Sequence, residues 1–155
     1  MAMPRLALIL ATSLFLTAML LAQETGTQAS SAKTISGSVI DHIVIQLAEG
    51  KFQRFLGPDL RLRQISYTVG HPSSQGQMVF SRQSALWKKL RGLQKKGEEF
   101  ELVIYFLEQG QRQRVRCQGV RVLRSEEKRA GEKEYTLAWT AQSLEIEPVQ
   151  ESPRI

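Results

Sequence analysis

Apolar and polar residues alternate along much of the chain between residues 34 and 147, and this alternation predicts β-strands. Residues 60–69 and 99–108 follow a period of two, which is the side-chain period of a strand. In 99–108 the second face is also apolar through Val103 and Tyr105, which is typical of a central strand. Further strands are predicted over 34–47, 77–80, 112–124 and 134–147.

Three of the predicted strands change phase along their length. The apolar positions switch from odd to even, or the reverse, near Arg63-Gln64, at Gly119 and near Gln142-Ser143. A β-bulge produces such a switch, and it also allows a sheet to bend or close. The expected fold is therefore mainly β, as a small β-barrel or a strongly coiled antiparallel sheet.

One segment, residues 83–96, has the period of an α-helix instead. Ser81 or Ser84 can cap its start, and Gly97 can take the left-handed conformation that ends it. Its apolar face consists of Leu86, Leu90 and Leu93, with Trp87 beside them. Its Lys and Arg residues lie elsewhere around the helix and fit a solvated face. We expect one helix packed against the sheet.

The N-terminus has the pattern of a secretory signal peptide. Arg5 precedes an apolar run over 6–21, and the sequence becomes polar at Gln23, so cleavage is expected after Ala22. The alternative is that this segment is retained as an N-terminal anchor, although the run is short of the roughly 20 residues of most membrane-spanning helices. Cleavage implies a periplasmic or secreted protein without a stable membrane span.

The rest of the chain divides into three parts. Residues 23–33 are predicted to be a flexible linker, 34–147 the β-barrel domain and 148–155 a flexible tail. Within the domain, residues 47–58 are predicted to be a long loop, because Gly50, Gly57 and Pro58 punctuate them. This loop carries Phe52, Phe55 and Leu56, which are candidates for a contact between subunits.

Charge and candidate chemistry point to binding more than to catalysis. The formal net charge of +6 favours anionic partners, while export argues against nucleic acid. Arg112, Arg114 and Arg116 alternate with Gln113 and Val115, so they form a candidate basic face, for which a solvated sheet surface is the alternative. Cys117 is the only cysteine, which excludes an internal disulfide and suits a buried strand position.

No motif for catalysis, metal binding or a cofactor is present in the sequence. Asp41 and His42 are adjacent, so in a regular strand their side chains point to opposite faces and are poorly placed to act on one substrate. Glu98, Glu99 and Glu101 could be read as an acid and a base, but solvation of a strand explains them equally well. We expect no catalytic site, no metal site and no cofactor, and therefore a protein that is not an enzyme.

The order of these segments resembles that of the Hcp family, the tube-forming proteins of type VI secretion, which are related in fold to phage tail-tube proteins. The resemblance spans residues 36–146 and lies in order, spacing and hydrophobic pattern. It follows the strands ISYTVG (65–70) and MVFS (78–81), the helix start at 84–87, and the strands FELVIY (100–105) and EYTLAW (134–139).

The resemblance implies a β-barrel with one helix, six-membered rings that stack into a tube, and an extended loop for ring contacts. In this chain residues 47–58 would be that loop. It also implies a homo-oligomer, with a protein partner in an envelope or secretion assembly. The signal peptide departs from this family and suggests an exported relative, or a single-copy envelope domain that shares only the fold. The alternative from another class is a monomeric periplasmic binding module of small-barrel type, with an anionic ligand or polymer on the basic face.

Overall fold

Nine strands and two helices form the part of the chain that the computed structural model describes, residues 31–128 and 133–150. The strands are β1 Ser31–Ser36, β2 Ile40–Gln46, β3 Phe52–Leu56, β4 Leu62–Val69, β5 Ser74–Phe80, β6 Phe100–Glu108, β7 Gln111–Lys128, β8 Glu134–Ala141 and β9 Ser143–Pro148. The helices are the single turn α1 Gly57–Leu60 and the longer α2 Ala85–Lys96. The predicted signal peptide 1–22, most of the linker 23–33 and most of the tail 148–155 lie outside the described residues.

The long strand β7 belongs to two halves of one antiparallel sheet. Its first half pairs with β6 on one side and β9 on the other, and its second half pairs with β8. The first half-sheet has the order β1-β4-β5-β8-β7, and the second has the order β3-β2-β6-β7-β9. The predicted mainly β fold with a packed helix is confirmed, and the sheet is open and strongly packed instead of closed into a barrel.

The two half-sheets meet at a corner formed by Gly119 of β7 and Gln142, which separates β8 from β9. Gly119 has a φ of +61°, and the β6–β7 register shifts beside it. The Gln142 backbone N–H donates to the Gln118 carbonyl at 2.9 Å, so the two chain segments bend together. The phase changes predicted at Gly119 and Gln142-Ser143 are therefore one structural feature. The third, at Arg63-Gln64, is a register shift between β4 and β5.

The helix α2 closes the core between the half-sheets. Its Leu86, Trp87, Leu90 and Leu93 are buried, and the Trp87 ring makes edge contacts with Phe80 and Tyr135 at centroid distances of 5.4 and 5.5 Å. The Ser84 Oγ accepts a hydrogen bond from the Trp87 N–H, which caps the helix start, and Gly97 ends it in the left-handed conformation. The predicted helix near 83–96 thus runs over Ala85–Lys96.

Cys117 lies fully buried in this core, as its position in an apolar strand pattern predicts. Burial raises the pKa of the Cys117 thiol to about 12, so the thiol stays protonated and behaves as a small apolar side chain. It contributes to packing.

The prediction of a long loop over 47–58 is wrong, because β3 occupies Phe52–Leu56 and pairs with β2 as a hairpin. The turn of this hairpin is short: the Leu47 N–H donates to the Lys51 carbonyl at 2.8 Å. Glycine and proline flank these five residues without interrupting them, and Phe55 opposite Ile43 anchors the strand in the core.

Other predicted boundaries also moved. The predicted strand 34–47 is divided by a 3-10 turn at Gly37–Val39 into β1 and β2. Ser31–Ser36 forms β1, so the last three positions of the predicted linker belong to a strand. The strand predicted to start at 77 begins at Ser74.

We expect the change Gly119→Ala to lower the free energy of unfolding by about 1–3 kcal/mol. An added Cβ would be 2.6 Å from the Gln142 side chain. The backbone would also have to keep a left-handed φ, which alanine disfavours. Gly92→Ala is the matched control, because its Cβ would meet no atom within 4 Å inside a helix. It should raise the free energy of unfolding by about 0.5–1 kcal/mol. Urea titration measures both, and a Gly119→Ala protein as stable as the parent would contradict the strained corner.

Candidate assembly surface

The outward side of the second half-sheet, here called the front face, carries two rows of side chains that cross all five strands. One row consists of Leu56, His42, Tyr105, Arg114 and Glu147. The other consists of Arg54, Val44, Val103, Arg116 and Glu145. Their sequence neighbours, such as Ile43, Ile104 and Val115, point into the core, because side chains alternate along a strand.

The β3 end of the front face is apolar and exposed. Phe52 is 73% and Leu56 54% exposed, whereas Phe55 on the opposite side of the strand is 6% exposed. Leu107, which is 47% exposed, lies on the same face but at the end of β6, opposite Arg112. Of the three candidate contact residues, two are therefore available on the surface, and Phe55 belongs to the chain's own core.

The β7 and β9 end of the front face is a set of ion pairs. The Nε and Nη2 atoms of Arg114 both donate to Glu147 Oε2, at 2.9 and 2.6 Å. The Nε of Arg116 lies 3.4 Å from Glu101 Oε1, which makes an ion pair without a hydrogen bond. Arg112, Arg114 and Arg116 do share one face, but acidic neighbours offset the charge of Arg114 and Arg116. The β7 and β9 end of the front face therefore carries both positive and negative charges.

The hydrogen bond from Arg114 is the largest influence on Glu147. It holds the pKa of this carboxyl below its ordinary value of 4.5, and the charge of Arg114 acts in the same direction. The same bond raises the pKa of Arg114. The pair joins β7 to β9 across the last ladder of the half-sheet.

Asp41 and His42 lie together at the centre of the front face, so the prediction that they point apart is wrong. The β2–β6 register shifts between Ile40 and His42, which leaves Asp41 as an extra residue. The Asp41 Oδ2 is 2.5 Å from His42 Nδ1, and this hydrogen bond is the main reason that the pKa of Asp41 is lowered. The local sequence contains no glycine or other signal for this bulge.

The surroundings of His42 favour a structural role. Its ring stacks on Tyr105 with centroids 4.2 Å apart, and its Nε2 is 3.5 Å from the Arg54 guanidinium. Because Nδ1 faces a carboxylate and Nε2 faces a donor, the imidazole is held between two partners and is not aimed at a nucleophile. Asp41, His42 and Arg54 thus connect β2 to the edge strand β3.

The described residues contain neither a helix that could cross a bilayer nor a cluster of three metal-ligating side chains. The feature that sequence reasoning missed is the pair of edge strands, β3 and β9, at the two ends of the front face. The available signal for β3 was a period of two, which places Phe52, Arg54 and Leu56 on one side of a strand and Phe55 on the other. The break at Gln142 was the signal for β9.

The Arg114–Glu147 pair should stabilise the fold in a pH-dependent way. The pKa of Glu147 is lowered on folding, so its stabilisation is complete above 4.5 and is lost as the pH falls through the folded value. The parent should therefore be more stable than Glu147→Gln near neutral pH, and the two should converge in acid. Urea titrations over this pH range measure the difference. In an Arg114→Met background the difference should disappear, and a difference that persists there would show that the pair is not its cause.

Comparison with known proteins gives two structural likenesses. No protein-family model matches the chain, and no curated protein matches it. A chain in the tail of an empty gene transfer agent particle with C6 symmetry is 14% identical, with 79% of this chain and 81% of that chain covered and a TM-score of 0.37. A chain in the virion of a native gene transfer agent particle is 13% identical, with 79% and 83% covered and a TM-score of 0.35. These likenesses assign the chain to no family.

Proposed function

We propose that this chain is an exported, non-enzymatic assembly protein whose copies associate through the edge strand β3. The exposure of Phe52 and Leu56 on that strand carries the proposal. An edge strand presents backbone N–H and C=O groups outward, and exposed apolar side chains beside such an edge favour pairing with another chain. The β3 edge offers both features in five residues.

The opposite edge of the same half-sheet offers a complementary surface. The β3 strand carries Arg54 with Lys51 next to it, whereas β9 carries Glu145 beside the Glu147 that is paired with Arg114. Four antiparallel pairings separate the two edges, so β3 and β9 run in the same direction. The β3 edge of one copy can therefore add to the β9 edge of the next in a parallel, head-to-tail contact.

A head-to-tail contact that repeats produces a ring when the rotation closes and a filament when it does not. The Hcp-like segment order suggests the ring, six-membered and stacked into a tube, as the form of this assembly. The signal-peptide pattern suggests that it forms in the periplasm or outside the cell, with an envelope or secretion component as a further protein partner.

A monomeric periplasmic binding module for an anionic ligand or polymer is the alternative. It would use Arg112, Arg114 and Arg116, but Arg114 and Arg116 already face Glu147 and Glu101. A ligand would have to displace these carboxylates. This observation favours the assembly role.

The double change Phe52→Ser with Leu56→Ser should weaken self-association roughly 30- to 1000-fold, because burial of two such side chains contributes about 2–4 kcal/mol. Sedimentation velocity over a concentration series measures the loss, and a urea titration should show that the monomer still unfolds cooperatively. Leu123→Ser is the matched control, since Leu123 is 59% exposed on β7 and outside the proposed edges. A parent that stays monomeric at high concentration would contradict the proposal.

Disulfide trapping tests the pairing of β3 with β9. In one chain, positions 54 and 145 lie four strand spacings apart, about 19 Å, so cysteines there cannot bond within a monomer. The variant Arg54→Cys with Glu145→Cys should give a ladder of covalent multimers on oxidation. Each single variant should give dimers at most. If the double variant also gave dimers at most, the head-to-tail contact would be excluded.

The export part of the proposal has its own test. Expression of the full chain in a bacterial host should give a periplasmic species that begins near Gln23, because Ala22 suits the position before cleavage. Mass spectrometry of fractionated cells measures the N-terminus. Intact chain in the soluble cytoplasm would contradict export and leave the assembly experiments unaffected.

A further inference from the structure

The helix α2 concentrates positive charge on its outward side. Its 12 residues include five Lys or Arg and no Asp or Glu. Lys88, Arg91 and Lys95 follow each other at the spacing that places them on one stripe, and Lys89 and Lys96 lie on the other flank. Among the described residues none of the five has an ion-pair partner. A stripe of one sign, without carboxylates of its own, favours a surface of opposite charge.

The stripe also borders a small cavity. A cavity of about 220 Å³ is lined by Gln83, Trp87, Lys88, Arg91, Gly92 and Lys95. Three of these are cations, none is acidic, and Gly92 leaves open space where a side chain would stand. The Arg91 guanidinium lies 5.9 Å from the Trp87 ring centroid, which orients it at the cavity wall. Such a site fits an oxyanion.

We propose that α2 docks on an anionic phospholipid surface and that this cavity receives a head-group phosphate. The charge is spread along just over two turns of helix, from Lys88 to Lys96, which suits an extended surface better than a single soluble anion. None of the large apolar side chains exposed in the described chain lies on α2, so the contact is peripheral and electrostatic. Trp87 is 3% exposed and cannot stack on a base, which argues against single-stranded nucleic acid.

The sequence supplies a second reason for a lipid partner. This reason rests on the proposed export, in which the apolar run over 6–21 brings the chain to a membrane. Where the run is retained as an anchor, the basic face adds the second signal that stable membrane binding requires, and where it is removed the basic face acts alone. The inference concerns α2 alone and does not depend on self-association through β3.

The experiment compares vesicles of phosphatidylcholine with vesicles that also contain phosphatidylglycerol, using the full chain. The apolar N-terminal segment can bind both, so the informative quantity is the ratio of the two partition coefficients. In Lys88→Gln/Arg91→Gln/Lys95→Gln this ratio should fall roughly 100-fold, about fivefold for each cation. High salt should abolish the preference in the parent.

The matched control is Arg124→Gln/Lys128→Gln/Lys133→Gln, which removes three exposed cations that do not line the cavity. It should keep most of the preference. An equal loss in both triple variants would mean that net charge alone acts, and this would overturn the α2 site. Displacement by inorganic phosphate at constant ionic strength would assign the cavity to a soluble anion instead of a lipid. A ratio unchanged by the α2 variant, with loss of duplex DNA binding in fluorescence anisotropy, would also overturn the lipid assignment.

Discussion

The shared bend at Gly119 and Gln142 is the constraint on which the rest of the structure depends. At this corner β7 and the β8–β9 segment turn together, so that the single strand β7 belongs to both half-sheets. The bend brings the inner faces of the half-sheets towards each other and leaves a core that α2 covers. It also separates β9 from β8, so that β9 becomes an edge of the second half-sheet. The core, the packing of α2 and the β9 end of the front face therefore depend on two residues, Gly119 and Gln142.

The front face combines opposite charges and apolar residues in a graded order. Apolar side chains lie at β3, an aromatic pair at the centre, arginines on β7 and carboxylates on β9. Exposed ion pairs contribute little to stability individually, so this order has more effect on which surfaces can meet than on whether the chain folds. The basic stripe of α2 differs, because Lys88, Arg91 and Lys95 line a cavity that contains no carboxylate. The protein therefore has one surface of mixed sign and one of single sign.

Local pattern was enough to predict most of the strands, the helix and the phase changes, because these depend on residues close in sequence. The hydrophobic period around Leu86, Leu90 and Leu93 fixed the helix, and the capping residues Ser84 and Gly97 fixed its ends. Pairing between distant strands is not encoded in such periods. The bulge at Asp41 arises from its register with β6, and β9 becomes an edge because of the corner. The glycines and proline around β3 hid a strand that Phe55 anchors by contact with β2.

The β3 hairpin makes surface and core depend on the register of one strand pairing. Residues 52, 54 and 56 face outward and Phe55 faces inward, because Phe55 pairs with the buried Ile43 of β2. A shift of this pairing by one residue would exchange the two sets, placing Arg54 in the interior and Phe55 in solvent. The 47–51 turn can therefore vary in its side chains, and in its length as long as the added residues stay in the turn and leave the register unchanged.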